Sequence, residues 1–165
     1  MSAHDIHIDP AHFRKVLGHY PTGVAAITST DADGRPLALV VGTFTSVSLD
    51  PPLVGFLPTK GSASWQAIAA TGRFAVNVLG SDQAALSGQL AGKGDKFAGV
   101  AYTLSERGLP LITDALITIE ARIAWTHEAG DHDFVLGRVQ ALNLQREGDP
   151  LLYLRGAYGG FAAKA

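Results

Sequence analysis

The stretch Pro36-Leu37-Ala38-Leu39-Val40-Val41-Gly42-Thr43-Phe44-Thr45-Ser46-Val47-Ser48-Leu49-Asp50-Pro51-Pro52-Leu53-Val54-Gly55-Phe56-Leu57 decides the fold. Pro36 to Val41 is an apolar run that reads as a strand. Thr43 to Leu49 sets Phe44, Ser46 and Ser48 against Thr45, Val47 and Leu49, the period of two expected when alternate side chains face opposite sides of a sheet. Asp50-Pro51-Pro52 then stops the strand, because proline has no amide hydrogen to give a ladder. Leu53 to Leu57 begins another. Strand follows strand here without the helix that a βαβ unit would interpose.

Outward from this stretch the same grammar continues. Val24 to Thr28 is β-branched and apolar, and Asp31 to Arg35 holds the turn pair Asp33-Gly34, so Val24 to Val41 predicts a hairpin. Before it, Phe13, Val16 and Leu17 share one side of a short helix that Gly18 weakens and Pro21 stops. After it, Ser62 or Ser64 can cap a helix running to Ala70 and ended by Thr71-Gly72, and Arg73 to Leu79 returns to strand. Ser81 is expected to cap a second helix to about Leu90. Ala91 to Asp95 is a glycine-rich, charged loop, of the kind that often carries function. Leu116 to Trp125 and Phe134 to Leu144 predict long strands joined by a turn at Glu128 to Asp131, and Leu151 to Leu154 a last short one. Many strands with two or three short helices fit a closed or nearly closed antiparallel barrel better than a parallel α/β sheet.

Length and composition set bounds on function. The 165 residues suffice for one domain with a sizeable core, expected to span 1–165. Met1 to Pro10, with charges and two histidines but no apolar run, reads as a flexible N-terminal arm, neither secretory signal nor anchor. An apolar fraction of 47% and a mean hydropathy of +0.16 are high for a soluble monomer of this size, so a homodimer is expected. A net charge of −2 offers no field to gather nucleic acid or an anionic membrane. The absence of cysteine removes disulfides, thiolate nucleophiles, iron–sulfur clusters and thiolate-held zinc, and fits a reducing cytoplasm.

Several chemistries fail on spacing. Gly88, Gly92 and Lys93 resemble a phosphate loop, but too few residues separate the glycines, and Gly94 stands where Ser or Thr must hold magnesium. No G-x-G-x-x-G follows a strand and no G-x-S-x-G elbow is present. His127 with Asp131-His132-Asp133 carries ligand-type side chains, yet Asp131 and Asp133 would point opposite ways along an extended chain, so this reads as a polar hairpin turn and no metal is expected.

Six segments in natural order resemble the short-chain flavin reductase family. They are Pro21-Thr22-Gly23-Val24, Phe44 to Val54, Phe74-Ala75-Val76-Asn77-Val78-Leu79, Asp95-Lys96-Phe97, Gly130-Asp131-His132 with Gly137-Arg138-Val139, and Tyr153-Leu154-Arg155-Gly156-Ala157-Tyr158. The resemblance runs from about Phe13 to Phe161. It implies a split β-barrel of Greek-key type with a few short helices, forming a homodimer that reduces FAD or FMN with NADH or NADPH and hands reduced flavin to a separate oxygenase. Pro58-Thr59-Lys60 through Ser64-Trp65-Gln66-Ala67-Ile68 looks closest to the actinobacterial branch serving aromatic or steroid-ring hydroxylases.

The resemblance also implies a site. Val41, Gly42, Thr43, Phe44 and Thr45, with Lys60, Ser62 and Ser64, are expected to line the flavin groove, and Asn77, Lys96 and Phe97 to lie beside it. Backbone amides, hydroxyls and lysines suit a flavin phosphate. His132 is expected at the nicotinamide, where an imidazole can stack or hydrogen-bond, and Tyr158 to close over the same place. Trp65 and Trp125 read as core or dimer interface. No catalytic acid or base is required, because hydride transfer asks chiefly for stacked, aligned rings. This chain departs from the family in Ala38-Leu39-Val40-Val41, where relatives commonly carry Thr and Asn or Ser, so fewer polar contacts reach the flavin edge. Two other readings remain open: a split-barrel flavin or deazaflavin enzyme acting on an organic substrate, and a non-catalytic flavin carrier.

Overall fold

A computed structural model describes residues 7–164; most of the expected N-terminal arm, residues 1–6, lies outside the described part. In chain order the elements are α1 (Pro10–Leu17), β1 (Thr22–Gly23), β2 (Ala25–Thr30), β3 (Pro36–Val41), β4 (Thr45–Leu49), β5 (Pro52–Phe56), α2 (Ala63–Thr71), β6 (Arg73–Val78) and a 3-10 turn (Ser81–Gln83). They continue with α3 (Ala84–Ala91), β7 (Tyr102–Leu104), β8 (Pro110–Ile112), β9 (Ile117–Ala129), β10 (His132–Leu144), β11 (Leu152–Leu154) and β12 (Ala157–Gly159).

Seven strands form one antiparallel sheet in the order β3-β2-β6-β9-β10-β5-β4, with two small sheets, β1-β11-β12 and β7-β8, beside it. β3 and β4 stand at opposite edges of the large sheet, yet only Gly42, Thr43 and Phe44 join them. A link that short spans at most about 14 Å, so the sheet must curl until its edges approach. No ladder joins β3 to β4, and the result is a split barrel, mainly β as expected.

The curled sheet encloses a core of Ile27, Phe56, Phe74, Val76 and Val135, none more than 1% exposed. The Phe56 ring lies edge-on to Phe74 at 5.1 Å and to Trp65 at 5.7 Å. Burying side chains of this size contributes on the order of 2–3 kcal/mol each. Trp65 and Ile68 come from α2, which therefore plugs the barrel side. Gly137 faces this core because a Cβ there would strike the Phe74 ring. On the other face of β2, Val24, Ala26, Leu79, Leu90, Ile112 and Leu151 form a second core under α3.

Local chemistry explains most boundaries. Pro10 opens α1, and the Asp9 carboxylate accepts a hydrogen bond from the His12 amide. The Ser62 hydroxyl accepts from the Trp65 amide and caps α2, and Gly72, at φ 69°, ends it in the left-handed conformation that glycine adopts most freely.

Four expectations are corrected. Ser81 does not cap α3: the helix starts at Ala84, after a turn in which the Gly80 amide donates to the Gln83 side chain. The β9–β10 turn is only Gly130-Asp131, with Gly130 at φ 67°, so the strands run further than Trp125 and start earlier than Phe134. The chain does not end its strands at Leu154, since Arg155-Gly156 turns it back into β12. The β7–β8 ribbon was not anticipated; its three-residue strands are too short for a period to show.

Among the described residues, no helix is long and apolar enough to cross a membrane.

Candidate functional site

Beyond the end of β5, residues 57–60 run alongside the start of β10. The Asp133 amide donates to the Pro58 carbonyl and the Lys60 amide to the Asp131 carbonyl, both at 3.0 Å, and Thr59 pairs with His132. The β3–β4 link is tied to the same place, because the Thr43 hydroxyl accepts from the Leu57 amide at 2.9 Å and donates to its carbonyl at 3.2 Å. Helix α2 also begins here. The Trp65 indole donates to the Asp133 carboxylate at 2.8 Å, which pins the helix to the hairpin.

Three segments far apart in sequence, 42–45, 59–66 and 131–133, thus meet at one end of the sheet. Thr43, Ser62, Ser64, Trp65 and Asp133 are bonded within the protein, whereas Thr45, Lys60 and His132 keep bonding capacity free. Gly42, Thr43 and Thr45 are exposed, and the Thr45 hydroxyl donates only to the neighbouring Ser46 carbonyl, at 3.1 Å. Lys60 makes one ion pair, at 3.5 Å, with the exposed carboxylate of Glu128, a contact of little strength in water. His132 Nδ1 lies 2.7 Å from the Asp131 carboxylate, leaving Nε2 without a hydrogen bond among the described residues. The hydrogen bond from His132 and then its charge hold the Asp131 carboxyl below the usual carboxylate range.

Two further groups flank β3. Lys96 Nζ donates to the Ser64 hydroxyl at 2.8 Å and to the Ala38 carbonyl at 2.9 Å, so this lysine ties the 91–97 loop to α2 and β3. Its partial burial pushes the amine below its ordinary value. Phe97 lies edge-on to Tyr102 at 5.2 Å, and with Ser64 and Lys96 it lines a cavity of about 380 Å³. Past the end of β3, Val41 and Gly42 share a smaller cavity, about 200 Å³, with Thr22, Tyr153 and Tyr158. The Tyr158 hydroxyl bonds Ser87 at 2.9 Å. Gly42 is needed here, as a Cβ would stand 2.6 Å from the Thr22 hydroxyl.

The structure therefore gathers Thr43, Thr45, Lys60, Ser62 and His132, places Ser64, Lys96 and Phe97 on the adjoining outer side of β3, and groups Val41 and Gly42 with Tyr158. Phe44 is half-buried against the inner core. Tyr158 does not share His132's surroundings: no hydrogen bond or common cavity joins them among the described residues. Asn77 corrects the expectation outright. It is fully buried, its amide donates to the Ala26 carbonyl and the Thr28 hydroxyl, and its oxygen accepts from the Ile112 amide. No atom of it is left for a ligand. Trp65 is core, and Trp125 is half-exposed on β9. Sequence reading missed Thr22 and Tyr153 as cavity walls, Ser87 as the partner of the Tyr158 hydroxyl and Asp133 as the helix anchor. A tryptophan on an apolar helix face needs an acceptor for its N–H, and that could have pointed to Asp133.

Chemically, exposed hydroxyls and amides, one lightly held lysine and the capped start of α2 suit anionic phosphates. The donor set fits a flavin phosphate or a nicotinamide dinucleotide.

The fold and this site define a flavin-handling split barrel, and the chain belongs to the flavin reductase-like domain family, whose profile matches residues 17–162. It is an oxidoreductase of that family. The chain is 49% identical over 157 residues to a flavin reductase of Pseudomonas putida, covering 94% of this chain and 92% of the relative. It is 45% identical over 154 residues to HsaB, the reductase subunit of a flavin-dependent monooxygenase in Rhodococcus jostii, covering 93% and 78%. In structure it is similar to the Streptomyces globisporus NADH:FAD oxidoreductase SgcE6, solved with NAD and FAD fragments, at a TM-score of 0.88 and 34% identity over 96% of this chain and 98% of that one.

Proposed function

We propose that this chain, acting as one domain, uses NADH or NADPH to reduce FAD or FMN and supplies the reduced flavin to a separate monooxygenase. The observation that carries the reading is the meeting of residues 42–45, 59–66 and 131–133 at one end of the split barrel, where Thr45, Lys60 and His132 keep bonding capacity free. Bound flavin supplies N5 as the hydride acceptor. The protein's own residues position and exclude. The exposed amides and hydroxyls of Gly42, Thr43 and Thr45, with Lys60 and the Ser62-capped start of α2, hold the flavin's anionic side. Lys96 keeps the 91–97 loop against Ser64, so Phe97 walls the groove. His132, oriented by Asp131, hydrogen-bonds the nicotinamide nucleotide, and Trp65 with Asp133 fixes the distance between helix and hairpin. Tyr158 closes the Val41–Gly42 end.

The relatives named above as a reductase subunit and an NADH:FAD oxidoreductase support this division of labour. The exposed apolar side chains of Trp125, Leu142 and Leu144 on β9 and β10 support a homodimer, and the lack of cysteine supports a cytoplasmic setting.

The test is oxidation of NADH and NADPH by the purified full chain, in air, with and without added FAD or FMN. Added free flavin should make turnover continuous. His132→Ala should raise the nicotinamide KM by about tenfold, as for loss of one charge-assisted hydrogen bond, with the flavin KM little changed. If neither flavin supports oxidation of either nicotinamide, the reductase reading is wrong and the barrel is a carrier or a deazaflavin enzyme.

A further inference from the structure

Away from the flavin site, the outer face of the sheet carries an arrangement that stability alone disfavours. Arg73 on β6 pairs directly with Arg122 on β9, and Arg122 pairs directly with Arg138 on β10. Directly opposed residues on antiparallel strands point to the same face, with Cβ atoms about 5 Å apart, and like charges so placed repel. All three are exposed. Their inward-facing neighbours Phe74, Ala121 and Gly137 are buried, so the guanidinium row lies on the outer side.

No carboxylate among the described residues forms an ion pair with Arg73, Arg122 or Arg138. The nearest acid along β9, Glu120, is already engaged by Arg107 at 3.6 Å and by the Ser105 hydroxyl at 2.7 Å. Arg73, Arg122 and Arg107 also line a hollow of about 650 Å³, larger than either cavity beside β3, with Ala67 and Ala70 of α2 as apolar wall and one carboxylate, Asp31, which accepts from the Asp33 and Arg35 amides. Arg138 extends the row beyond it. A volume of that size is typical of small-molecule sites.

We propose that this hollow is a second binding site, distinct from the flavin groove, for a small polyanion bearing two or more adjacent phosphate or carboxylate groups. Arg138 stands six residues along β10 from His132, about 20 Å of extended strand, and the hollow shares only Ala67 with the Ser64–Phe97 cavity. Planar guanidinium groups one strand apart match paired oxyanions, each taking a bidentate contact. Bound anion also removes the repulsion within the row. The proposal does not depend on the reductase reading.

Isothermal titration of the full chain with pyrophosphate, and separately with citrate, in excess sodium chloride should give saturable binding of at least one. Preference for pyrophosphate assigns phosphate chemistry, and preference for citrate assigns carboxylate chemistry. Arg122→Gln should weaken binding by roughly tenfold or more, the loss expected for one charge-assisted bidentate contact. Arg138→Gln should weaken it less, and Arg14→Gln, on α1, should not change it. Without anion, Arg122→Gln should melt no lower than the parent, because it relieves repulsion, so a binding loss will not be misread as unfolding. The proposal is overturned if neither anion binds saturably, if Arg122→Gln and Arg138→Gln bind as the parent does, or if only an acidic polypeptide such as polyglutamate binds.

Discussion

The seam between β2 and β6 and the open end beyond β5 are both rich in polar side chains, and the fold uses them in opposite ways. At the seam, Asn77 and Thr28 are fully buried, and every polar atom of Asn77 is engaged with Ala26, Thr28 or Ile112. Thr28 in turn donates to the Pro110 carbonyl at 2.6 Å. Together they dock the β7–β8 ribbon onto the sheet. At the open end, Thr45, Lys60 and His132 reach solvent with bonding capacity to spare. A polar group bonded internally stabilises the fold, and only one left unengaged can stabilise a ligand. Lys96 lies between the two extremes, bonded to the protein yet on a cavity wall.

The sharpest way to break this distinction is Asn77→Leu. It strands the Ile112 amide and takes one partner from the Ala26 carbonyl and the Thr28 hydroxyl, and the cost should be about 3 kcal/mol, read as a lower urea midpoint at unchanged slope. Flavin affinity of the folded fraction should be unaltered. Trp65→Phe is next. It preserves most of the packing but removes the bond to Asp133, and should cost about 1 kcal/mol while raising the nicotinamide KM by loosening the hairpin.

Smaller effects follow from titration. The folded-state pKa of Lys96 is depressed by burial below its ordinary 10.5. The penalty for holding the charged amine is therefore present at neutral pH. As pH rises through the depressed value the folded protein sheds its proton before the unfolded chain does, so stability rises towards 10.5. Lys96→Met should abolish that alkaline rise in unfolding experiments. Asp131 has the opposite sign. Its depressed carboxyl contributes stability that is present above 3.8 and lost as pH falls through the folded-state value. Asp131→Asn should flatten only this acid limb, the smallest of the four changes because the group is fully exposed.

How much was legible in the sequence follows the same division. Alternation, Asp33-Gly34 and Pro51-Pro52 disclosed β2 to β5, and Ser62 with Gly72 disclosed α2, because each leaves a local mark. β7, β8 and β12 left none: three-residue strands form only because another segment waits to pair with them. Lys60, Ser62 and His132 are named as candidate site residues through family resemblance, and they come together at the open end of the sheet. Asn77 was misplaced beside the groove, since an asparagine in a strand looks the same whether it faces a ligand or a neighbouring carbonyl. The Arg73-Arg122-Arg138 row was invisible for a related reason, as cross-strand register is not written in any one segment.

If flavin is held by the polar groups left free at the open end, flavin affinity and fold stability should separate. Equilibrium flavin binding, followed by fluorescence quenching and set beside urea unfolding, tests it on Thr45→Val with Lys60→Met against Asn77→Leu. The double variant should lose flavin affinity at unchanged stability, while Asn77→Leu should lose stability at unchanged affinity. Flavin binding that survives in the double variant but fails in folded Asn77→Leu would contradict it.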